Sequence, residues 1–185
     1  VVRRGLGPDL VEPGVKFISE HGGEVRFGAR LRGVNKAASR IDALDFGAES
    51  TPLGSDDSVV LSMPAANLVQ ILPEISAPLE TRAIVNAHFR LDHDVQLPGC
   101  NRLLGMVGGT AHWLFARGDI ASVTVSAADK LAEKDAGEIA ELLWQDVAIA
   151  LGKPPPATPS ARIAKEKRAT FAQIPTPPAK PPAPP

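Results

Sequence analysis

The chain has 185 residues, 44% of them hydrophobic and 4% aromatic, with a formal net charge of −1. That length gives one domain, or a domain with an unstructured end. The near-neutral balance leaves no polycation to hold a phosphate backbone, so nucleic acid is not an expected partner, and a lone cysteine, Cys100, excludes an internal disulfide.

The balance hides an asymmetry. Residues 1–152 carry 14 basic and 20 acidic side chains, a net of −6, while residues 153–185 carry six and one, a net of +5. The opening VVRRGLGPDL is neither a signal peptide nor a membrane span, and no run approaches the roughly 18 apolar residues of a membrane span. A first residue of Val rather than Met suggests a processed, excised or incomplete protein.

EPGVKFISEHGG reads as a short helix, with Pro13 in its first turn, Val15 and Ile18 on one face and Gly22–Gly23 as its stop. EVRFGARLRGV (24–34) follows with near-alternation, Val25, Phe27, Ala29 and Leu31 against Arg26, Arg30 and Arg32, and predicts a half-buried strand. RIDALDFG is its expected hairpin partner. SVVLSMP predicts a buried strand ended by Pro64, and AANLVQILPE a short helix or turn.

RAIVNAHFRLD alternates cleanly, with Val85, Ala87, Phe89 and Leu91 on one side and Asn86, His88, Arg90 and Asp92 on the other. LLGMVGG, HWLFARG and ASVTVSAAD predict three more strands divided by glycine-bearing turns. DAGEIAELLWQDVAIALG is the strongest helix. Asp135 and Glu138 fit a capping box, Ile139, Leu142, Leu143, Val147, Ala150 and Leu151 form its apolar face, and Gly152 ends it. Of the 18 prolines, 11 lie from Pro154 onward, so IPTPPAKPPAPP should be extended polyproline or disordered. Many strands with few helices give an α+β class containing a mixed or antiparallel sheet.

No reaction is named by spacing alone. His88 and His93 lie five apart on a strand, hence on opposite faces, and cannot chelate one metal; no metal site is expected. His21 sits at a helix end, where a cation meets the helix dipole, and His112 precedes Trp113 where it could line a pocket. GMVGGT lacks the Lys-Ser/Thr pair of a phosphate loop and reads as a turn between strands. No G-x-S-x-G surrounds a serine, so a nucleophile elbow has no support. In RIAKEKRATFAQIP neither period separates the charges, and Phe171 is the only aromatic for base stacking.

Read in order, GGEVRFGARLRGV, DDSVVLSMPAANL, RAIVNAHFRL, LLGMVGGTAHWLF, SVTVSAADKL, ELLWQDVAIALG and IAKEKRATFAQIP resemble the C-terminal half of the squalene-associated FAD-dependent desaturases, also called hydroxysqualene dehydroxylases. These lie in the flavin-containing amine oxidase and phytoene desaturase superfamily. The resemblance covers about Gly5 to Pro175, with IVNAHF, VGGTAHWLF and KEKRATFAQ its most specific pieces. It implies a Rossmann-like FAD domain interrupted by a substrate domain. On that map residues 1–64 are a partial FAD-domain segment, 65–152 the substrate-binding domain, 153–174 a return segment toward the FAD domain and 175–185 a proline-rich disordered tail.

The resemblance further implies that Leu31 takes the place of a residue, usually valine, whose backbone meets adenine. It places Asn86 near where many amine oxidases carry a lysine, and it makes Asn86, His88 and Trp113 candidate substrate-pocket residues. The implied activity removes a hydroxyl from hydroxysqualene to give squalene for hopanoid synthesis, with FAD as cofactor and an isoprenoid substrate. The implied location is cytoplasmic, with peripheral contact to the inner membrane. Two features of the family are absent here: the G-x-G-x-x-G turn for the pyrophosphate and the closing Gly-Asp and Glu-Gly-Ala region. On that ground this chain alone is expected neither to hold FAD tightly nor to turn over. The alternatives are a non-catalytic isoprenoid-binding module, a module docking an aromatic-groove partner through PTPPAKPP, or another superfamily oxidoreductase such as a phytoene desaturase or amine oxidase.

Overall fold

In a computed structural model, residues 5–37, 40–152 and 157–174 are described. The proline-rich 175–185 and all of KPPP (153–156) therefore lie outside the described residues. The chain divides into two compact units, residues 1–76 and 77–185. The fold is α+β, and every strand pair among the described residues is antiparallel.

In the first unit, α1 (Glu12–Glu20) has Pro13 in its first turn and passes into Gly22, whose φ of 80° is open to glycine without strain. His21 caps it: Nδ1 lies 2.8 Å from the Phe17 carbonyl oxygen, and the ring stacks on Phe17 at 4.0 Å. Then β1 (Gly33–Ala37), β2 (Arg40–Asp45) and β3 (Ser50–Pro52) form a three-stranded sheet, followed by α2 (Ala65–Ile71).

Two expectations fail here. The strand expected over 24–34 starts only at Gly33. Gly28 turns the chain at φ 75°, Phe27 is 78% exposed, and a single ladder bond, Arg32 N–H to the Asp45 carbonyl at 2.8 Å, precedes the strand. Alternation without a hydrogen-bonding neighbour does not make a strand. SVVLSMP is likewise not a buried strand: no strand is assigned over 58–64, and Val60 is 88% exposed. Among the described residues of this unit only Leu72 is buried.

The second unit holds a five-stranded sheet in the order β5-β6-β7-β4-β8. Its strands are β4 (Thr81–Arg90), β5 (Leu103–Gly105), β6 (Trp113–Arg117), β7 (Ile120–Val125) and β8 (Ala161–Phe171). The basic segment ARIAKEKRATF is thus a strand, paired with β4 from Thr81↔Phe171 to Phe89↔Ala161, with a register shift between Arg82 and Ile84. At that shift Asp129 Oδ1 accepts from Ala83 N–H at 3.0 Å, and Ala128 N–H donates to the Ala83 carbonyl at 2.8 Å. Those bonds tie β4 to α3 (Asp129–Ala132).

One face of the sheet is the core. Val85, Ala87, Phe89, Leu114, Ala121 and Val123 are fully buried beneath α4 (Ala136–Ala150), which supplies Ile139, Leu143 and Val147. Full burial of the Val, Leu, Ile and Phe side chains among them stabilises by about 1.5–3 kcal/mol each. Phe89 packs on Trp144 with ring centroids 5.3 Å apart. The helix starts as the sequence predicts, with Asp135 Oδ1 accepting from Glu138 N–H at 2.9 Å. It ends at Gly152, φ 66°.

Candidate functional site

A strand sends successive side chains to opposite faces. Burying Val85, Ala87 and Phe89 under α4 therefore turns Asn86 and His88 to the other side of the sheet. Register extends that side across the strands. Trp113 lies opposite Thr124, and Thr124 opposite Asn86; Phe115 lies opposite Ser122, and Ser122 opposite His88. Three of the four residues singled out from the sequence thus share one face, in two adjacent rows.

The polar members are paired across β4 and β7. Thr124 Oγ1–H donates to Asn86 Oδ1 at 2.7 Å, and Ser122 Oγ and His88 Nδ1 are hydrogen-bonded at 2.8 Å. These pairs orient the amide and the imidazole without burying an unsatisfied atom. Partial desolvation, with the charges of Arg162 and Arg117, holds the His88 imidazole below the ordinary histidine pKa and so favours its neutral form near pH 7. The apolar members are open: Leu103, Phe115 and Trp113 are 47%, 40% and 44% exposed. The Trp113 ring lies over Gly105, where a Cβ would come within 3.4 Å of it. His112 accepts from Ser126 N–H through Nδ1 at 3.1 Å, which ties its ring to the end of β7.

Leu31 is elsewhere, in the first unit. It lines a cleft of about 420 Å³ with Arg30, Arg32, Met63 and residues of α2. Its own N–H and C=O make no hydrogen bond among the described residues.

Sequence reasoning missed Phe115, Ser122 and Thr124, although each stands two residues from a chosen position or opposite one. It also missed Asp146 on α4. Its Oδ2 accepts from Thr110 N–H at 2.7 Å and Ala111 N–H at 2.8 Å, anchoring the glycine turn ahead of Trp113. A Cβ on Gly109 would come within 2.5 Å of that carboxylate, so the turn needs glycine for space.

Among the described residues no three His, Cys, Asp or Glu side chains gather as a metal site, and no helix is long and apolar enough to cross a membrane.

No model of a known protein family matches the chain. Over 175 residues, 95% of its length, it is 41% identical to a hydroxysqualene dehydroxylase of Sinorhizobium fredii. The chain is homologous to the hydroxysqualene dehydroxylases. The hydroxysqualene dehydroxylase of Rhodopseudomonas palustris is 39% identical over 176 residues, and that of Zymomonas mobilis 31% over 166. The chain spans 39–41% of the length of these hydroxysqualene dehydroxylases. In fold it is similar to a crystal structure from Exiguobacterium sp. 255-15, provisionally named a protoporphyrinogen oxidase, with a TM-score of 0.55 at 16% identity over 81% of this chain and 36% of that one.

Proposed function

We propose that the chain is the substrate-facing part of an FAD-dependent oxidoreductase that removes the hydroxyl of hydroxysqualene to give squalene, in hopanoid synthesis. The observation that carries this reading is the 41% identity to a hydroxysqualene dehydroxylase along almost the whole chain. The open sheet face supports it. Leu103, Phe115 and Trp113 offer apolar and aromatic surface to a hydrocarbon chain, while the Asn86–Thr124 and His88–Ser122 pairs offer few, fixed polar groups to a single hydroxyl.

The residues fit part of FAD. Leu31, with its backbone unpaired in a cleft, would meet the adenine edge; the chain carries no glycine-rich strand–helix turn for the pyrophosphate. When bound, reduced FAD supplies the hydride that replaces the hydroxyl, which departs with a proton as water. The chain's own work is to bind the hydrocarbon along β5 and β6, orient the hydroxyl toward His88 and Ser122, and hold a hydrogen-bond donor where the oxygen departs. On this reading residues 1–64 belong to the FAD-binding part, 65–152 bind substrate and 153–174 lead back toward the FAD-binding part.

The test replaces the matching region of the Sinorhizobium fredii hydroxysqualene dehydroxylase with residues 5–174 of this chain. The chimaera is expected to retain flavin and convert hydroxysqualene to squalene, and the isolated chain to do neither. A chimaera that holds flavin but leaves hydroxysqualene untouched sinks the substrate assignment. Stoichiometric flavin on the isolated chain sinks the partial-site reading. The half-exposed aromatics also favour a second reading, a non-catalytic isoprenoid-binding module, which predicts binding of the alcohol with no turnover in the chimaera.

A further inference from the structure

The polar end of the open sheet face carries more charge than a neutral alcohol needs. Arg162 lies opposite His88 on β8, and Arg117 projects from β6 two residues beyond Phe115, on the same side. Both are exposed, and neither forms an ion pair among the described residues. Both guanidinium groups are near enough to His88 for their charge to act on its titration. Among the described residues neither is paired with a neighbouring carboxylate, although Asp94 lies at the Gly118 turn beside Arg117. Arg90 is already engaged by Asp119 at 3.2 Å. Glu166 stands toward the opposite end of the face, beside Ile84, and accepts from Arg168 N–H at 3.0 Å.

The face therefore has a direction: two free guanidinium groups and an imidazole at one end, and Phe115, Trp113 and Leu103 beside them. Guanidinium forks match phosphate oxygens, and two of them match a dianionic group better than a carboxylate. Aromatic and aliphatic side chains left open in a contiguous patch mark a binding surface for an apolar ligand.

We propose that this face binds a phosphorylated isoprenoid, with the diphosphate or phosphate held by Arg117, Arg162 and His88 and the hydrocarbon laid over Phe115, Trp113 and Leu103. This rests on the isoprenoid reading of the face and adds an anionic head group to it. Such a ligand is the chemical class from which hydrolysis or ionisation at the carbon–oxygen bond yields an isoprenoid alcohol.

The test uses the full chain with four probes: farnesyl diphosphate below its micelle concentration, farnesol, inorganic diphosphate and phosphatidylglycerol vesicles. Binding is followed by calorimetry and tryptophan fluorescence. Farnesyl diphosphate is expected to bind about tenfold more tightly than farnesol, the worth of one good charge-assisted contact. The double variant R117Q/R162Q should abolish that difference and leave farnesol binding unchanged. Both positions are exposed and unpaired, so the variant should keep the wild-type melting temperature. Raising the salt concentration on the wild-type chain should weaken the diphosphate and spare the alcohol, which tests the charge without any substitution.

Equal binding of farnesol and farnesyl diphosphate overturns the head-group proposal while sparing the isoprenoid reading. Inorganic diphosphate binding as tightly as farnesyl diphosphate overturns the role of the apolar patch. Binding only to vesicles overturns it in favour of a membrane surface. Failure of both farnesol and farnesyl diphosphate to bind overturns the isoprenoid reading itself.

Discussion

Asp146 offers the sharpest test of how the candidate face is held in shape. Its carboxylate takes two backbone N–H groups, those of Thr110 and Ala111, at 2.7 and 2.8 Å, and Ala111 is fully buried. Asp146→Ala removes a charged acceptor and strands the Ala111 N–H away from water. A hydrogen bond to a charged group contributes about 1.5–3 kcal/mol, and an unsatisfied buried donor costs about 1–3 kcal/mol, counting overlapping parts of one loss. The expected destabilisation is about 3 kcal/mol, a fall in melting temperature on the order of 12 °C or more for a unit of this size. Gly109→Ala should cost about 2 kcal/mol by another route, because its Cβ would lie 2.5 Å from the same carboxylate. The two must not add: once Asp146 is alanine, the Gly109 Cβ has room. Urea unfolding of the wild type, both single variants and the double variant closes the cycle. Additive effects, or an Asp146→Ala cost below about 1 kcal/mol, would refute the anchoring of the turn by this carboxylate.

Phe89→Ala, which empties a fully buried ring site against Trp144, should cost about 3–5 kcal/mol in denaturant unfolding. Asp135→Ala should cost about 1 kcal/mol by the same assay, and Asp135→Ser should restore most of it, since Ser can still accept from Glu138 N–H. Trp113→Ala should leave the melting temperature nearly unchanged, the side chain being 44% exposed, but weaken farnesol binding several-fold; unaltered binding would remove Trp113 from the face's function. His88 has a folded pKa lowered from 6.5, through partial desolvation and then Arg162 and Arg117. The unfolded chain therefore binds more protons as pH falls through 6.5 toward the folded value. His88 takes stability away in that window and has no effect above it. His88→Gln should flatten the acid side of the stability curve between about pH 6.5 and the folded pKa, and an NMR titration of the imidazole should show the depressed midpoint.

What was legible in the sequence follows from burial. In β4 one face is sealed under α4, so Val85, Ala87 and Phe89 had to be apolar, and alternation named both the strand and the residues on its other side. The cap and stop of α4 were legible because Asp135 and Gly152 act locally. β8 was harder. It lies at the sheet margin with most side chains exposed, so neither face selects residue type, and pairing with β4 rather than pattern makes it a strand. The stretch 24–34 erred in the opposite direction, showing alternation that lacks a neighbouring strand over most of its length. Trp144 and Asp146 were missed because their partners, Phe89 and the Thr110–Ala111 backbone, are remote in sequence.

β8 is eleven residues long and ends the sheet, so one row of its backbone N–H and C=O groups has no strand beside it among the described residues. Such a row is a template on which a second chain can add, and long exposed margins are where proteins begin to aggregate. Arg162, Lys165, Lys167 and Arg168 stand along this one. Two copies approaching margin to margin would bring eight positive charges together, against two from Glu166. Charge repulsion along this basic run would oppose such addition. Charge-neutral replacements along it should leave the fold intact and turn concentrated solutions fibrillar.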